Sequence, residues 1–232
     1  MKRTLALLLA AAALPLGVAA VPPAEAQAVK DWTKVVAQTA EGGFRVGNPD
    51  APVKLVEYGS LTCDHCAHFA EEAMPKLLGQ YVKSGKVSFE FRNFVRDPAD
   101  LTASLLSRCA GPDDFFALTH QYFTTQPQWF GKLQAMTEAE REAINALPPA
   151  ERLVRFASMV GLDATAAKAG VSAAEAKQCL ASEANIGQLV EMGKTAVEKH
   201  QIKGTPSFMI NGKTLENVHN WAALEPHLKT GG

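Results

Sequence analysis

Past its first two dozen residues the chain has no apolar run long enough to cross a bilayer, so it offers no second candidate span. It has little excess of charge either: 23 basic side chains face 24 acidic ones, a formal charge of −1, and nothing in that balance argues for nucleic acid. Cysteine is scarce at four residues, and the even count leaves none obviously unpaired. There is one Cys-x-x-Cys, Cys63-Asp64-His65-Cys66, with no second copy and no spaced His pair. A compressed Cys63, His65, Cys66, His68 set is therefore a poor zinc site. Ala67 stands where a c-type haem site needs histidine, which removes that reading. No metal or organic cofactor is called for.

What is present begins with Lys2 and Arg3, then an apolar stretch from Leu5 to Val21 interrupted by Pro15, then small residues from Ala24 to Ala28. That order is the layout of a cleaved secretory signal peptide over residues 1–28, with Ala26-Gln27-Ala28 the best cleavage site. The competing reading is a retained anchor, for which the run is short and rich in alanine. Export places the remaining 200 or so residues in an oxidising compartment, the periplasm, where cysteines pair as disulfides.

Residues 29–43 read as a leader arm ending at Gly42-Gly43, with the first packed element at Phe44. Val53, Leu55, Val56 and Tyr58 form a strand closed by Gly59-Ser60. Phe69, Met74, Leu77, Leu78 and Tyr81 then recur at helical spacing, and Val87, Phe89 and Phe91 alternate as a strand. This β-α-β run suits a parallel crossover. Residues 97–194 lack strand patterns. Leu101, Leu105 and Cys109 share a helical face, and Ser172 with Glu175 makes a capping box. The stretch is expected to be an inserted helical subdomain. Strand character returns at Ser207–Ile210, Asn211-Gly212 marks a hairpin, and Trp221–Leu228 is a closing helix. The fold class is α/β, a small mixed sheet in two parts, 44–96 and 195–232, interrupted by the helical block.

The chemistry sits between strand and helix. There Cys63 meets the unpaired N–H groups and the positive end of the helix dipole, which stabilise a thiolate and lower its pKa. Cys66, a turn further in, receives less of this help. Cys63 is then the sulfur exchanged with substrate and Cys66 its resolving partner. A purely structural bridge here would close little chain entropy. His65 is placed to donate a hydrogen bond or charge to Cys63, whereas the carboxylate of Asp64 works against the thiolate. Glu57 lies six residues before Cys63. Half-buried, it would have a raised pKa and would accept the Cys66 proton; on an edge it would be a solvated glutamate.

The run Leu55-Val56-Glu57-Tyr58-Gly59-Ser60-Leu61-Thr62-Cys63-Asp64-His65-Cys66, followed far downstream by Gly204-Thr205-Pro206-Ser207, resembles the DsbA-like family of periplasmic thioredoxin-fold proteins. The resemblance covers roughly residues 44–96 and 195–230, and the helical block lies where that family carries its own insertion. It implies a cis Pro206 facing Cys63 and Cys66, and Thr205 backbone groups that pair with extended substrate. An ordinary trans proline before a strand is the alternative. It also implies a monomer that takes reduced or unfolded exported proteins as substrates, with a DsbB-type quinone-linked membrane oxidase to recharge it. Because Asp64 stands where the best-known member has proline, the expected oxidant is milder than the roughly −120 mV of DsbA. The rivals are an isomerase or reductase kept reduced by a membrane partner, and a redox-inert peptide-binding module.

Cys109 and Cys179 both fall in the helical block. They are expected to pair as a structural disulfide contributing roughly 4 kcal/mol in the chain-entropy model, the alternative being two separate buried thiols. Phe115, Phe116, Tyr122, Phe123, Trp129 and Phe130 read mainly as core, with a few available to line an apolar groove beside Cys63.

Overall fold

The structure, a computed structural model, describes residues 30–230; the expected signal peptide over residues 1–28 lies outside the described residues. A six-stranded mixed sheet runs in the order β1-β2-β4-β3-β5-β6, with β1 Val36–Gln38, β2 Phe44–Gly47, β3 Val53–Gly59, β4 Val87–Asn93, β5 Ser207–Ile210 and β6 Lys213–Thr214. β3 and β4 are parallel and joined through α1 (Asp64–Lys76), as the 35-residue spacing requires; the other neighbours are antiparallel. Beyond Pro75, which has no N–H to donate, α1 widens into a π-helical turn at Leu77–Val82.

The strand alternation sorts two faces. Leu55, Val87, Phe89 and Phe91 enter the main core, whereas Val56 and Tyr58 pack on the other face with Met192, Ala196, Ile202 and Met209. On that second face β4 also buries Glu90 and Arg92. They are held as a bidentate pair, Arg92 Nε to Glu90 Oε1 at 2.7 Å and Nη2 to Oε2 at 3.1 Å, with Arg92 Nη1 donating to the Tyr58 hydroxyl at 3.2 Å. A buried guanidinium is tolerable only with such partners.

Between β4 and β5 come α2 (Pro98–Cys109), α3 (Gly111–Thr124), α4 (Gln126–Ala135), α5 (Glu138–Asn145), α6 (Pro149–Val160), α7 (Leu162–Lys168), α8 (Ala173–Leu180) and α9 (Glu183–Glu198); α10 (Trp221–Thr230) closes the chain. Ser172 and Glu175 make the expected capping box before α8. The helices do not stand apart from the sheet. Phe115 of α3 stacks on Phe44 at 3.9 Å and, with Phe123, meets Phe91, so sheet and insertion share one core.

Two expected boundaries move. The leader arm of 29–43 already contains a 3-10 turn, Trp32–Lys34, and β1 paired to β2 in the register Val36↔Val46, so packing begins before Phe44. Three residues are too few to display an alternation, and β1 exists because β2 offers a partner. The helical block was expected to end at residue 194, a position inside α9, which continues to Glu198 because no Gly or Pro interrupts its last turn.

Candidate active site

β3 delivers the chain to Gly59 and the loop Ser60-Leu61-Thr62. Cys63 is the N-cap of α1, in extended conformation (φ −94°, ψ 119°), and its side chain caps nothing. Its sulfur is therefore free to sit among the helix's unpaired donors. Gly59 has a steric reason to lack a side chain: a Cβ there would lie 2.4 Å from the Phe91 ring and 3.0 Å from Glu57 Oε1.

The loop is pinned from the insertion. Buried Asp100 accepts from Ser60 Oγ (2.6 Å), Leu61 N (2.8 Å) and Arg96 N (3.0 Å), and Asp97 accepts from Thr62 Oγ1 (2.6 Å). Gln126, at the start of α4, donates to the carbonyls of Leu61 (2.8 Å) and Cys63 (3.1 Å), and Arg96 Nη2 donates to Thr62 O (3.2 Å). Burial raises Asp100 to a pKa of about 6 in spite of these donors.

Across the sheet, the Thr205–Pro206 peptide is cis. Cys63 Sγ donates to Thr205 O at 3.3 Å, and His219 Nδ1 lies 3.1 Å from the Pro206 carbonyl. The structure thus brings Cys63, Cys66, Thr205 and Pro206 together, with Cys63 and Cys66 present as thiols. Hydrogen bonding from Cys66, then from the Thr205 side chain and the Cys66 N–H, with the Arg96 charge, outweighs desolvation and lowers Cys63 to about 5. Burial, followed by the bond to Cys63 and the charge of Glu57, pushes the Cys66 thiol well above its usual 9.0.

Glu57 is no edge residue. It is 2% exposed at the centre of β3, and burial, with a smaller push from Cys63, raises it to about 8. His65 is exposed and its ring makes no hydrogen bond to Cys63 among the described residues. It lines, with His68, Phe69, Glu72, Thr205, Pro206 and His219, a cleft of about 620 Å³. No aromatic of the insertion borders that cleft. Phe115, Tyr122, Phe123 and Trp129 are core. Cys109 and Cys179, both half-buried, form a disulfide between the end of α2 and α8, S–S 1.99 Å, 70 residues apart. Among the described residues no group of three or more His, Cys, Asp or Glu side chains is arranged to hold a metal, and no helix is long and apolar enough to cross a membrane.

Sequence reasoning missed Asp97, Asp100, Arg96, Gln126 and His219. Asp97-Pro98 is a readable helix start, an N-cap before Pro at the first position. That its neighbours reach back to the cysteine loop is a tertiary fact without a local pattern.

A dithiol pair at a helix N-terminus after a central strand, opposed by a cis-proline just before the neighbouring strand, defines a thioredoxin-class redox site. The sequence profile of the thioredoxin family matches residues 39–230, and the chain belongs to that family. A structure titled protein-disulfide isomerase from Novosphingobium aromaticivorans is 38% identical, with a TM-score of 0.75 over 80% of this chain and 95% of that one. The α-DsbA1 of Wolbachia pipientis shares the fold at 23% identity, with a TM-score of 0.64 over 81% of this chain and 89% of its own. A Rickettsia bellii protein provisionally named a protein-disulfide oxidoreductase is 29% identical over 185 residues, 79% of this chain and 62% of its own. The chain spans 58 to 62% of the length of the Rickettsia relatives it matches.

Proposed function

We propose that the chain is an exported thiol–disulfide oxidoreductase that donates a Cys63–Cys66 disulfide to reduced proteins. The observation that carries the reading is the asymmetry of the pair: Cys63 held near 5 beside a Cys66 pushed well above 9. Stabilising the Cys63 thiolate stabilises the reduced enzyme, so the disulfide is driven to open. A value near 5 lies between the roughly 7 of thioredoxin and the roughly 3.5 of DsbA. That supports an oxidant milder than DsbA.

In the reaction a substrate thiolate attacks Cys63, breaking the Cys63–Cys66 bond and forming a mixed disulfide. Cys66 leaves with the electron pair and takes a proton from Glu57. A second substrate thiolate then attacks the substrate sulfur, and Cys63 departs as a thiolate. The Thr205 backbone and Pro206, beside the cleft that His65 borders, would hold an extended substrate segment. Recharging requires an electron acceptor, for which a DsbB-type quinone-linked membrane protein is the proposed partner. Residues 1–28 are assigned to export into the periplasm, 97–194 to the insertion that braces the loop, and Cys109–Cys179 to stability.

A second reading has support in the 38% identical structure titled as an isomerase. It uses the same atoms in the opposite resting state, with the pair kept reduced. The reduction potential in glutathione buffers separates the two. A value above roughly −180 mV is expected of a disulfide donor, and one near or below roughly −250 mV would overturn that direction.

A further inference from the structure

Cys66 is fully buried and Glu57 is 2% exposed, so neither reaches solvent when a substrate occupies the Thr205 side of Cys63. Yet Cys66 must gain a proton each time it leaves Cys63, and Glu57 must then regain the one it gave. A route for that proton is visible on the opposite side of Glu57.

Glu57 Oε1 and Thr119 Oγ1 are both buried polar atoms without a hydrogen-bond partner. Both residues line one narrow cavity of about 30 Å³ between β3, β4, α1 and α3, whose other walls are Ala70, Met74, Phe89, Phe91, Phe116, Phe123 and His120. An orphaned buried polar group costs about 1–3 kcal/mol. A volume above roughly 10–15 Å³ with polar partners accommodates a water molecule. Glu57 Oε1 and Thr119 Oγ1 border the same small space, which has room for one water that would hydrogen-bond to both. His120 is exposed and belongs to two spaces at once, the cavity and an open hollow of about 320 Å³ along α1 that Asp64, His68 and Glu71 also border.

We infer that Thr119 and His120 of α3, with one water in this cavity, form the path by which protons pass between solvent and Glu57 during exchange at Cys66. The path deepens the proposed activity and rests on it. When substrate thiolate takes Cys63, the bonding pair goes to Cys66 Sγ, which receives the Glu57 proton. The cavity water returns a proton to the Glu57 carboxylate and is itself resupplied through the Thr119 hydroxyl and the His120 imidazole from the hollow. The two protons of the substrate thiols leave to solvent, one proton enters by this path, and Cys63 finishes as a thiolate. Imidazole suits the outer position because one ring nitrogen donates while the other accepts. Thr119 holds the water and relays its proton; His120 is the exchange point with solvent.

The test is single-turnover reduction of the oxidised protein by a dithiol peptide, in weak buffer near pH 8, where Glu57 is close to half-protonated. His120→Ala should slow the reaction at least about tenfold, and free imidazole should restore the rate in a concentration-dependent way, a readout that a packing role for His120 would not produce. Thr119→Val, which keeps the shape and removes the hydroxyl, should be slowed and insensitive to imidazole, and Thr119→Ser should recover the rate. If Thr119→Val does not fold, the His120→Ala rescue decides alone. A His120→Ala rate equal to wild type, or a deficit that imidazole leaves unchanged, overturns the path while the proposed activity stands. A wild-type protein that does not exchange at all overturns the activity itself.

Discussion

The protein holds two pairs of cysteines in opposite circumstances. Cys63 and Cys66 are three residues apart in sequence, at the N-terminus of α1, with a raised glutamate near Cys66 and the Thr205 side chain and Arg96 near Cys63. Cys109 and Cys179 are 70 residues apart, tying two helix ends at the half-exposed edge of the insertion. Sulfur chemistry is the same in both. What differs is that the first pair is surrounded by groups that prefer one thiolate to a disulfide, whereas the second closes a long loop that the unfolded chain would otherwise leave open.

The sharpest way to break the contrast is to exchange the fates of the pairs. Cys63→Ser is expected to abolish disulfide transfer in an insulin-reduction or refolding assay while the protein still folds; retained exchange would sink the enzymatic reading. Cys109→Ser with Cys179→Ser should do the reverse. Unfolding in urea should show a loss of up to about 4 kcal/mol for a loop of this length, with the exchange rate unaltered. A large fall in rate, without a fall in stability, would mean that the second pair governs the first.

The two sites also separate by pH. Glu57 has a folded pKa of about 8 above its unfolded 4.5, so its contribution to stability is full below 4.5 and is lost as pH rises towards 8. Cys63 has a folded pKa of about 5 below its unfolded 9.0, so its contribution is full above 9.0 and is lost as pH falls towards 5. In the oxidised protein Cys63 does not titrate; Asp100, raised to about 6, adds its own falling slope up to that pH, and above it the glutamate slope remains, at most about 1.4 kcal/mol per pH unit. Stability of the oxidised form should therefore fall from pH 5 to pH 8. Above Asp100's pKa of about 6 the reduced form should be nearly flat, and Glu57→Gln should flatten the oxidised curve over that same upper range. An oxidised wild-type curve that stays level would show Glu57 to be ionised in the fold.

This contrast was legible in the chain only in part. The β-α-β run and the cysteine motif at a helix start are local and followed from spacing, whereas the cis Thr205-Pro206 turn followed from the family resemblance. Glu57 was readable as a candidate, but its burial depends on Phe89, Phe91 and the α3 aromatics closing over it, which no window around residue 57 contains. β1 was hidden because three residues carry no periodicity. The clamps from Asp97, Asp100 and Gln126 come from elements 35 to 65 residues away in sequence, and each uses an ordinary polar side chain. His65 is the converse: position in the motif suggested a partner for Cys63, and its side chain instead faces the cleft.

The smallest predicted effect concerns Arg96. It is the one full positive charge among the groups that hold Cys63 down, and it comes after the hydrogen bonds from Cys66 and Thr205. It is also exposed, fixed to the loop by its 3.2 Å bond to the Thr62 carbonyl. Charge at an exposed site is screened by salt over a Debye length of about 8 Å at physiological ionic strength, whereas short hydrogen bonds inside the fold are screened much less. Arg96→Met should accordingly raise the Cys63 pKa by less than about 1, read from thiolate absorbance in the ultraviolet. Added salt should move the wild type in the same direction and leave the variant nearly still. If the variant shifts Cys63 much further than salt does, Arg96 acts by holding the loop through Thr62, and the site owes more to that grip than to the charge.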